Sequence, residues 1–321
     1  MDEFSFIDSI SQDTYNQKSL IKGIGDDAAV FRQNEKDIVT AVDTFVEGIH
    51  FTRTTMEAHH IGYRALAANL SDIAAMGATP TFYLVSIVIP KVWTEKELIE
   101  IFAGMKELAT IYNIDLIGGD TVSGKELSIS ITVIGYVEVE KARYRNAAKA
   151  DDIVFVTGAL GDSQAGFHIL TNPGNYKDAA YFINKHRKPS PRLNFGGALN
   201  KLSRIALNDI SDGIANEATE IAEASQVNIT LKDESIPTSS SYGQFPTMLQ
   251  HKWKYYGGED FELLGVIAKD DWQVIKEIAV QTNTVVTKIG YVSKGNTNGQ
   301  VFVDKQNHIQ QIDKKGYSHL K

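Results

Sequence analysis

EAHHIGYRALAANLSDIAAMGATPTFYLVSIVIP, residues 57 to 90, decides the fold. Glu57 to Ala78 has helical spacing and ends at Gly77, a residue that can leave a helix without a Cβ penalty. From Ala65 on it is small and apolar nearly all round, which predicts a buried helix. Thr81 to Pro90 is β-branched and apolar, the composition of a central strand. A buried helix feeding a buried strand implies a layered α/β or α+β domain with helices on one side of a sheet. One residue conflicts with that pattern. Asp72 lies on the face of Ile61, Ala65 and Ala68, at i+11, i+7 and i+4 from them. A lone buried carboxylate is costly or takes up a proton. A bound cation removes that cost; an arginine partner or a helix N-terminus is the plainer alternative.

The alternation continues outward. Asp37 to Thr44 (DIVTAVDT) reads as a strand. Thr94 opens an amphipathic helix, with Glu97 completing a capping box and Leu98, Ile101, Phe102, Met105, Leu108 and Tyr112 at helical spacing. Asp115 to Ile117 reads as a strand running into a glycine turn, and Leu127 to Val137 alternates with period two. The polar segment Glu138 to Asp152 marks a junction, giving one unit over 1–140 and an α/β unit over 150–321. The second opens with a strand, turn and helix at Ile153 to Leu170. An Ala-rich helix (Ile214 to Ser225), strands at VNITL and Phe261 to Ala268, a helix from Asp270 and the strand VVTKIGYVS follow. Two stretches read as mobile: Thr171 to Tyr176, and the Ser-rich Asp233 to Phe245, which suits a lid or a disordered tip.

Composition narrows the class. The chain has 321 residues, a hydrophobic fraction of 43%, a charged fraction of 22% and a net charge of −8, as in a soluble globular protein. It has no cysteine, which removes disulfides, thiolate metal sites and a cysteine nucleophile and suits a reducing cytoplasm. No apolar run approaches membrane-spanning length, and MDEFSFIDSI is not a secretory signal. No basic cluster suits nucleic acid. An acidic protein that binds phosphates usually places a cation between the two negative partners.

Aspartates recur beside glycine or serine where strands end: Asp26 and Asp27 in GIGDDAA, Asp43 in AVDTF, Asp120 in IGGDT, Asp209 and Asp212 in DISDG. Singly, turn aspartates are more often structural, and Asp212 could simply cap the helix after it. Together with Asp72 they offer oxygen ligands only, which favours a hard cation such as Mg2+, and more than one, in a site built for phosphoryl transfer. Gly118 and Gly119 would let backbone approach a phosphate. No P-loop or protein-kinase catalytic loop is present, and TGALGDS (Thr157 to Ser163) reads as a tight βα turn.

GIGDDAAVF, DTFVEGIHF, NLSDIAAMGATP, IGGDTVSG, RKPSPRL, DISDG, YGGEDFELL and the terminal KKGY occur in that order. On these eight motifs the chain resembles the thiamine-monophosphate kinases, within the superfamily of aminoimidazole ribonucleotide synthetase and selenophosphate synthetase. The resemblance implies transfer of the ATP γ-phosphate to thiamine monophosphate. It also implies a homodimer whose N-terminal sheets join into a barrel. Carried over by motif, Asp27, Asp43, Asp72, Asp120, Asp209 and Asp212 would hold several Mg2+ ions. Gly119, Asp120, Arg145 and Ser211 would contact ATP, with Phe102 beside the adenine. His50, Glu259 and Tyr317 would contact thiamine monophosphate. An isolated His such as His50 reads more readily as a core histidine, Arg145 could be a solvated charge, Tyr317 packing, and Asp26 turn-forming or a group that supports the ligands. Ala41-Val42 stands where family members often carry Ser/Thr-Thr, which thins one metal site. The acceptor phosphate needs no general base. A superfamily relative with another substrate, a non-catalytic nucleotide-binding subunit and a Mg2+-dependent phosphatase are the competing readings.

Overall fold

The computed structural model describes residues 20–22, 26–27, 29–33, 35–295 and 298–314. Two mixed sheets and eight helices make up the described residues. The first sheet contains β1 (Leu20–Lys22), β2 (Ala29–Gln33), β3 (Lys36–Val46), β4 (Thr79–Ile89), β5 (Asp115–Ser123) and β6 (Ser128–Glu138), in the order β1-β2-β3-β6-β4-β5. Among the described residues its one parallel pair is β4–β5. α1 (Ala58–Ala75) and α2 (Glu95–Tyr112) complete this half. β6 alternates as its sequence predicts, with Ile129, Ile131 and Val133 fully buried.

The second sheet runs β13-β12-β9-β11-β7-β10-β8. Its strands are β7 (Ile153–Thr157), β8 (Ala206–Asp209), β9 (Val227–Lys232), β10 (Leu263–Ile267), β11 (Val286–Lys294), β12 (Gln300–Lys305) and β13 (His308–Gln311). Its helices are α3 (Asp162–Thr171), α4 (Ala179–Arg187), α5 (Leu193–Ala198), α6 (Ile214–Ser225), α7 (Thr247–Tyr256) and α8 (Trp272–Gln281). No described helix is long and apolar enough to cross a membrane.

α1 is the spine. Fourteen of its residues, from Ile61 to Ala75, are buried, as the apolar run predicts. One core joins its Leu66, Leu70 and Ile73 to Val39 and Ile131 of the first sheet and to Phe155, Leu207 and Leu263 of the second. α2 starts on the expected capping box, with Thr94 and Glu97 exchanging bonds. It crosses α1 at two glycines. A Cβ on Gly62 would stand 1.8 Å from the Ile101 carbonyl oxygen, and one on Gly104 would stand 1.8 Å from that of His59. Helix propensity alone favours alanine over glycine by about 1 kcal/mol. Here overpacking outweighs it: we expect Gly62→Ala to destabilise by about 2 kcal/mol. A calorimetric scan checks this, and a raised Tm would mean that the helices can separate at no cost.

Three expectations fail here. Gly118 and Gly119 do not end a strand: β5 runs through them to Ser123, paired with β4 across an irregularity at Tyr83/Leu84. A Cβ on Gly119 would stand 1.9 Å from the Val85 carbonyl oxygen, so strand contact demands this glycine. Asp43 likewise lies inside β3, not at its end. The segment Asp233 to Phe245 is packed, not a free lid. Ile236, Tyr242 and Phe245 are buried, and Ser239 and Ser241 donate to Asp162 and Asp178. One of its serines satisfies the buried Asp162 carboxylate, which composition alone does not reveal.

Candidate functional site

The site forms where β3, α1 and the end of β8 converge. Asp72 on α1, Asp209 at the end of β8 and Asp27 between β1 and β2 each offer a carboxylate oxygen, all within 4.8 Å of one another. The residues around Asp72 brace the arrangement. Asn69, one turn earlier on α1, accepts from the Asp43 backbone N–H at 3.0 Å and ties the helix to β3. Ser71 donates to Asp209 Oδ2 at 2.7 Å, linking residues 138 positions apart. The motif NLSD therefore supplies one acid and two side chains that place the other acids.

Electrostatics mark the cluster as incomplete. Burial pushes the Asp27, Asp43, Asp72 and Asp209 carboxyls above their ordinary values. For Asp72 the charges of Asp43, Asp209 and Asp27 act in the same direction. One cation answers them: Arg145 Nη2 lies 2.5 Å from Asp27 Oδ1, while Nη1 lies 3.2 Å from Glu220. Asp27 Oδ2 is buried and has no hydrogen-bond partner among the described residues. Oxygen donors at this spacing, with one unsatisfied carboxylate oxygen, fit a hard divalent ion.

Asp43 also lines a cavity of about 970 Å³, with His50, Ser211, Asp212, Gly258 and Glu259 on its wall and Phe167, Trp253 and Tyr256 among its aromatics. His50 Nδ1 accepts from the Val46 N–H at 3.0 Å, and its ring stacks on Phe45 at 4.9 Å. Glu259 sits at φ 68°, unusual for a residue with a side chain, and its carboxylate pairs with the buried Arg64. Val42, in the Ala41-Val42 pair, lines the cavity while Ala41 is buried.

Other expected residues lie elsewhere. Asp120 and Gly119 are on β5, exposed along its whole length at the edge of the sheet; Asp120 accepts from the Thr121 N–H at 2.9 Å. They are not brought to the cluster within this chain. Phe102 packs against the core from α2 and does not line the cavity. Arg145 is no solvated charge, since two carboxylates hold it. Asp26 bonds the Arg145 N–H at 3.0 Å and Lys22 at 2.8 Å, bracing the turn that carries Arg145. The N–H groups of Gly161 and Ser163 in TGALGDS bind Asp260 at 2.7 and 3.1 Å, so the protein's own carboxylate occupies that helix N-terminus. Tyr317, Gly23 to Gly25 and Ala28 lie outside the described residues.

Glu217 escaped the sequence reading. It is 2% exposed on α6, accepts from the Asp212 N–H at 3.0 Å and from Asn208 Nδ2 at 2.9 Å, and is pushed up by burial and then by the charge of Glu220. The signal was available: like Asp72, it is an acid among the apolar residues of a buried helix.

Residues 25–137 match the family described as AIR synthase related protein, N-terminal domain, the class that this first sheet and its acids define. The chain is 44% identical to a thiamine-monophosphate kinase of Bacillus subtilis over 100% of both chains. It is 34% identical to that of Escherichia coli K12, over 93% of this chain and 91% of the relative. The chain belongs to the thiamine-monophosphate kinase family. A solved structure described as AaThiL complexed with AMPPCP and TMP has a TM-score of 0.84 at 29% identity, covering 99% of this chain and 97% of that one. The hydrogenase maturation protein HypE of E. coli, at 17% identity and TM-score 0.74, shares the fold.

Proposed function

We infer that this chain transfers the γ-phosphate of ATP to thiamine monophosphate, giving thiamine diphosphate and ADP, with Mg2+ held by its aspartates. The carrying observation is the convergence of Asp27, Asp72 and Asp209 beside Asp43, which extends the acidic wall into the large cavity. Family membership supports the reading, as does a relative that binds an ATP analogue together with TMP. The cavity volume suits a substrate of this size.

Asp27, Asp43, Asp72 and Asp209 would hold the metal, with Asp212 and Asp120 as further ligands. Bound there, Mg2+ would neutralise the polyanionic phosphates and orient them. The protein's own groups do the rest. Asn69 and Ser71 fix the acids. His50 and Glu259 place thiamine monophosphate, with Tyr317 as a third contact. Arg145 and Ser211 would serve ATP, and Gly119 and Asp120 would join them only where the exposed β5 edge meets a second copy. The acceptor monoester has a second pKa of about 6, so it is already nucleophilic near neutrality and needs no base. Transfer is direct and in line, with no covalent enzyme intermediate.

We assign ATP and metal handling and dimerisation to residues 1–140 and the remaining contacts to 150–321, in a cytoplasmic homodimer. The support for a dimer is β5, an edge strand exposed throughout, with Leu116, Ile117 and Val122 open to solvent. Pairing this edge with a second copy would also cover Gly119 and Asp120.

The experiment is a product assay on purified protein whose mass is first measured by light scattering. Stoichiometric thiamine diphosphate and ADP that vanish with EDTA, from a species of twice 35.4 kDa, is the expected result. Phosphate release from thiamine monophosphate without ATP would replace this reading with a phosphatase, and a trapped phospho-aspartate would exclude direct transfer.

A further inference from the structure

His186, at the C-terminal turn of α4, is 2% exposed yet lines the large cavity. Its ring is held from one edge. Gly166 lets α3 touch α4, since a Cβ there would stand 2.1 Å from the Phe182 carbonyl oxygen. That approach brings Ser163 Oγ to 3.3 Å from His186 Nδ1. Arg64, fully buried on α1, places Nη1 2.7 Å from Nδ1 and 2.5 Å from the His186 carbonyl oxygen. A guanidinium only donates, so Nδ1 must accept and the ring proton of a neutral imidazole sits on Nε2. Burial, then the charges of Arg64 and Arg187, keep the imidazole well below its ordinary pKa and therefore neutral. Nε2 is itself buried and has no hydrogen-bond partner among the described residues. A buried N–H left unmade is costly.

The surroundings define what would accept from it. The Phe167 ring centroid is 5.4 Å from that of His186, and Phe167 is 41% exposed on the same cavity wall. An open aromatic face beside one neutral N–H donor suits a flat heteroaromatic ring bearing a nitrogen acceptor. The second arm of Arg64 pairs with Glu259, so one buried cation sets two side chains of the wall.

We propose that His186 is a specificity-determining residue whose Nε2–H donates to a ring nitrogen of the substrate's aminopyrimidine, and that Arg64 is the positioning residue that fixes this tautomer. The proposal rests on the kinase reading above. The test compares full-length wild type with His186→Asn, whose amide reaches only the Nδ1 position, and His186→Gln, which keeps a donor near Nε2. Each is assayed with thiamine monophosphate and with the thiazole phosphate fragment, which lacks the pyrimidine, as competitive inhibitor. His186→Asn should raise KM for thiamine monophosphate at least about tenfold, the scale of one lost buried hydrogen bond. KM for ATP and the fragment's inhibition constant should stay within about twofold, and His186→Gln should recover most of the loss. An unmoved KM, or an equal weakening of the fragment, overturns the ring assignment.

A second readout needs no turnover. In 15N spectra, the histidine signal missing from His186→Asn should report a protonated Nε2 and a bare Nδ1, and Arg64→Lys should weaken that preference. A protonated Nδ1 overturns the proposal. Wild type that makes no thiamine diphosphate would instead sink the kinase reading, leaving the tautomer to be judged by the spectra alone.

Discussion

Asp72→Asn is expected to lower turnover at least about a hundredfold while leaving the fold intact. Even groups that merely orient metal ligands cost 10–100-fold when removed, and Asp72 is proposed as a ligand itself. The substitution is nearly isosteric and takes away a charge that Asp43, Asp209 and Asp27 oppose. Without metal the variant should therefore melt level with wild type where the carboxyls are protonated and above it where they ionise, because the amide carries no charge for its neighbours to repel. With Mg2+ the order should reverse. Wild type should gain roughly 5 °C at a hundredfold excess over the dissociation constant, and the variant almost nothing. Steady-state kinetics and melting curves with and without Mg2+ check both halves. Unchanged turnover would remove Asp72 from the metal site.

The second large effect is the coupling of pH to metal. Asp27 is pushed up to about 8 and Asp209 to about 7, both chiefly by burial. The unfolded chain releases these protons near pH 4. A folded-state pKa above the unfolded one gives stability that is complete below the unfolded value and is lost as pH rises through the folded value. The metal-free protein should thus lose Tm between about pH 4 and 8 beyond what its other groups impose. Mg2+ needs the deprotonated carboxylates, so its stabilisation should grow over the same range and cancel the fall. Melting curves at pH 5, 6.5 and 8 with EDTA or Mg2+ measure this. A Mg2+ gain independent of pH would mean that the four acids are already ionised in the empty site.

Arg143 and Arg192 illustrate how buried charge is handled away from the acids. Arg143 donates to the Leu199 and Leu202 carbonyl oxygens, and Arg192 grips Glu262 with two nitrogens. These cations end on protein acceptors. Among the described residues, the clustered aspartates beside the cavity have Arg145 as their cation, and that contrast separates a structural network from a site prepared for a ligand.

The sequence by itself determined the run from α1 into β4, the alternation of β6, the burial of α1, the capping box at Thr94 and the suspicion attached to Asp72. Each of these depends on periodicity or on residues within a turn of one another, which local sterics and solvation control. Only the tertiary structure decided that Asp27, Asp72 and Asp209 meet, since the Ser71–Asp209 bond alone spans 138 positions. It decided that Gly119 serves contact with β4, that Asp120 and Phe102 stand apart from the cavity, and that the Ser-rich segment is packed. It also exposed Glu217, Arg64 and His186, whose meaning lies in partners from distant elements. Whether a buried charge is costly or satisfied depends on what the closed chain places against it, and that is set by packing between both sheets rather than by any local stretch.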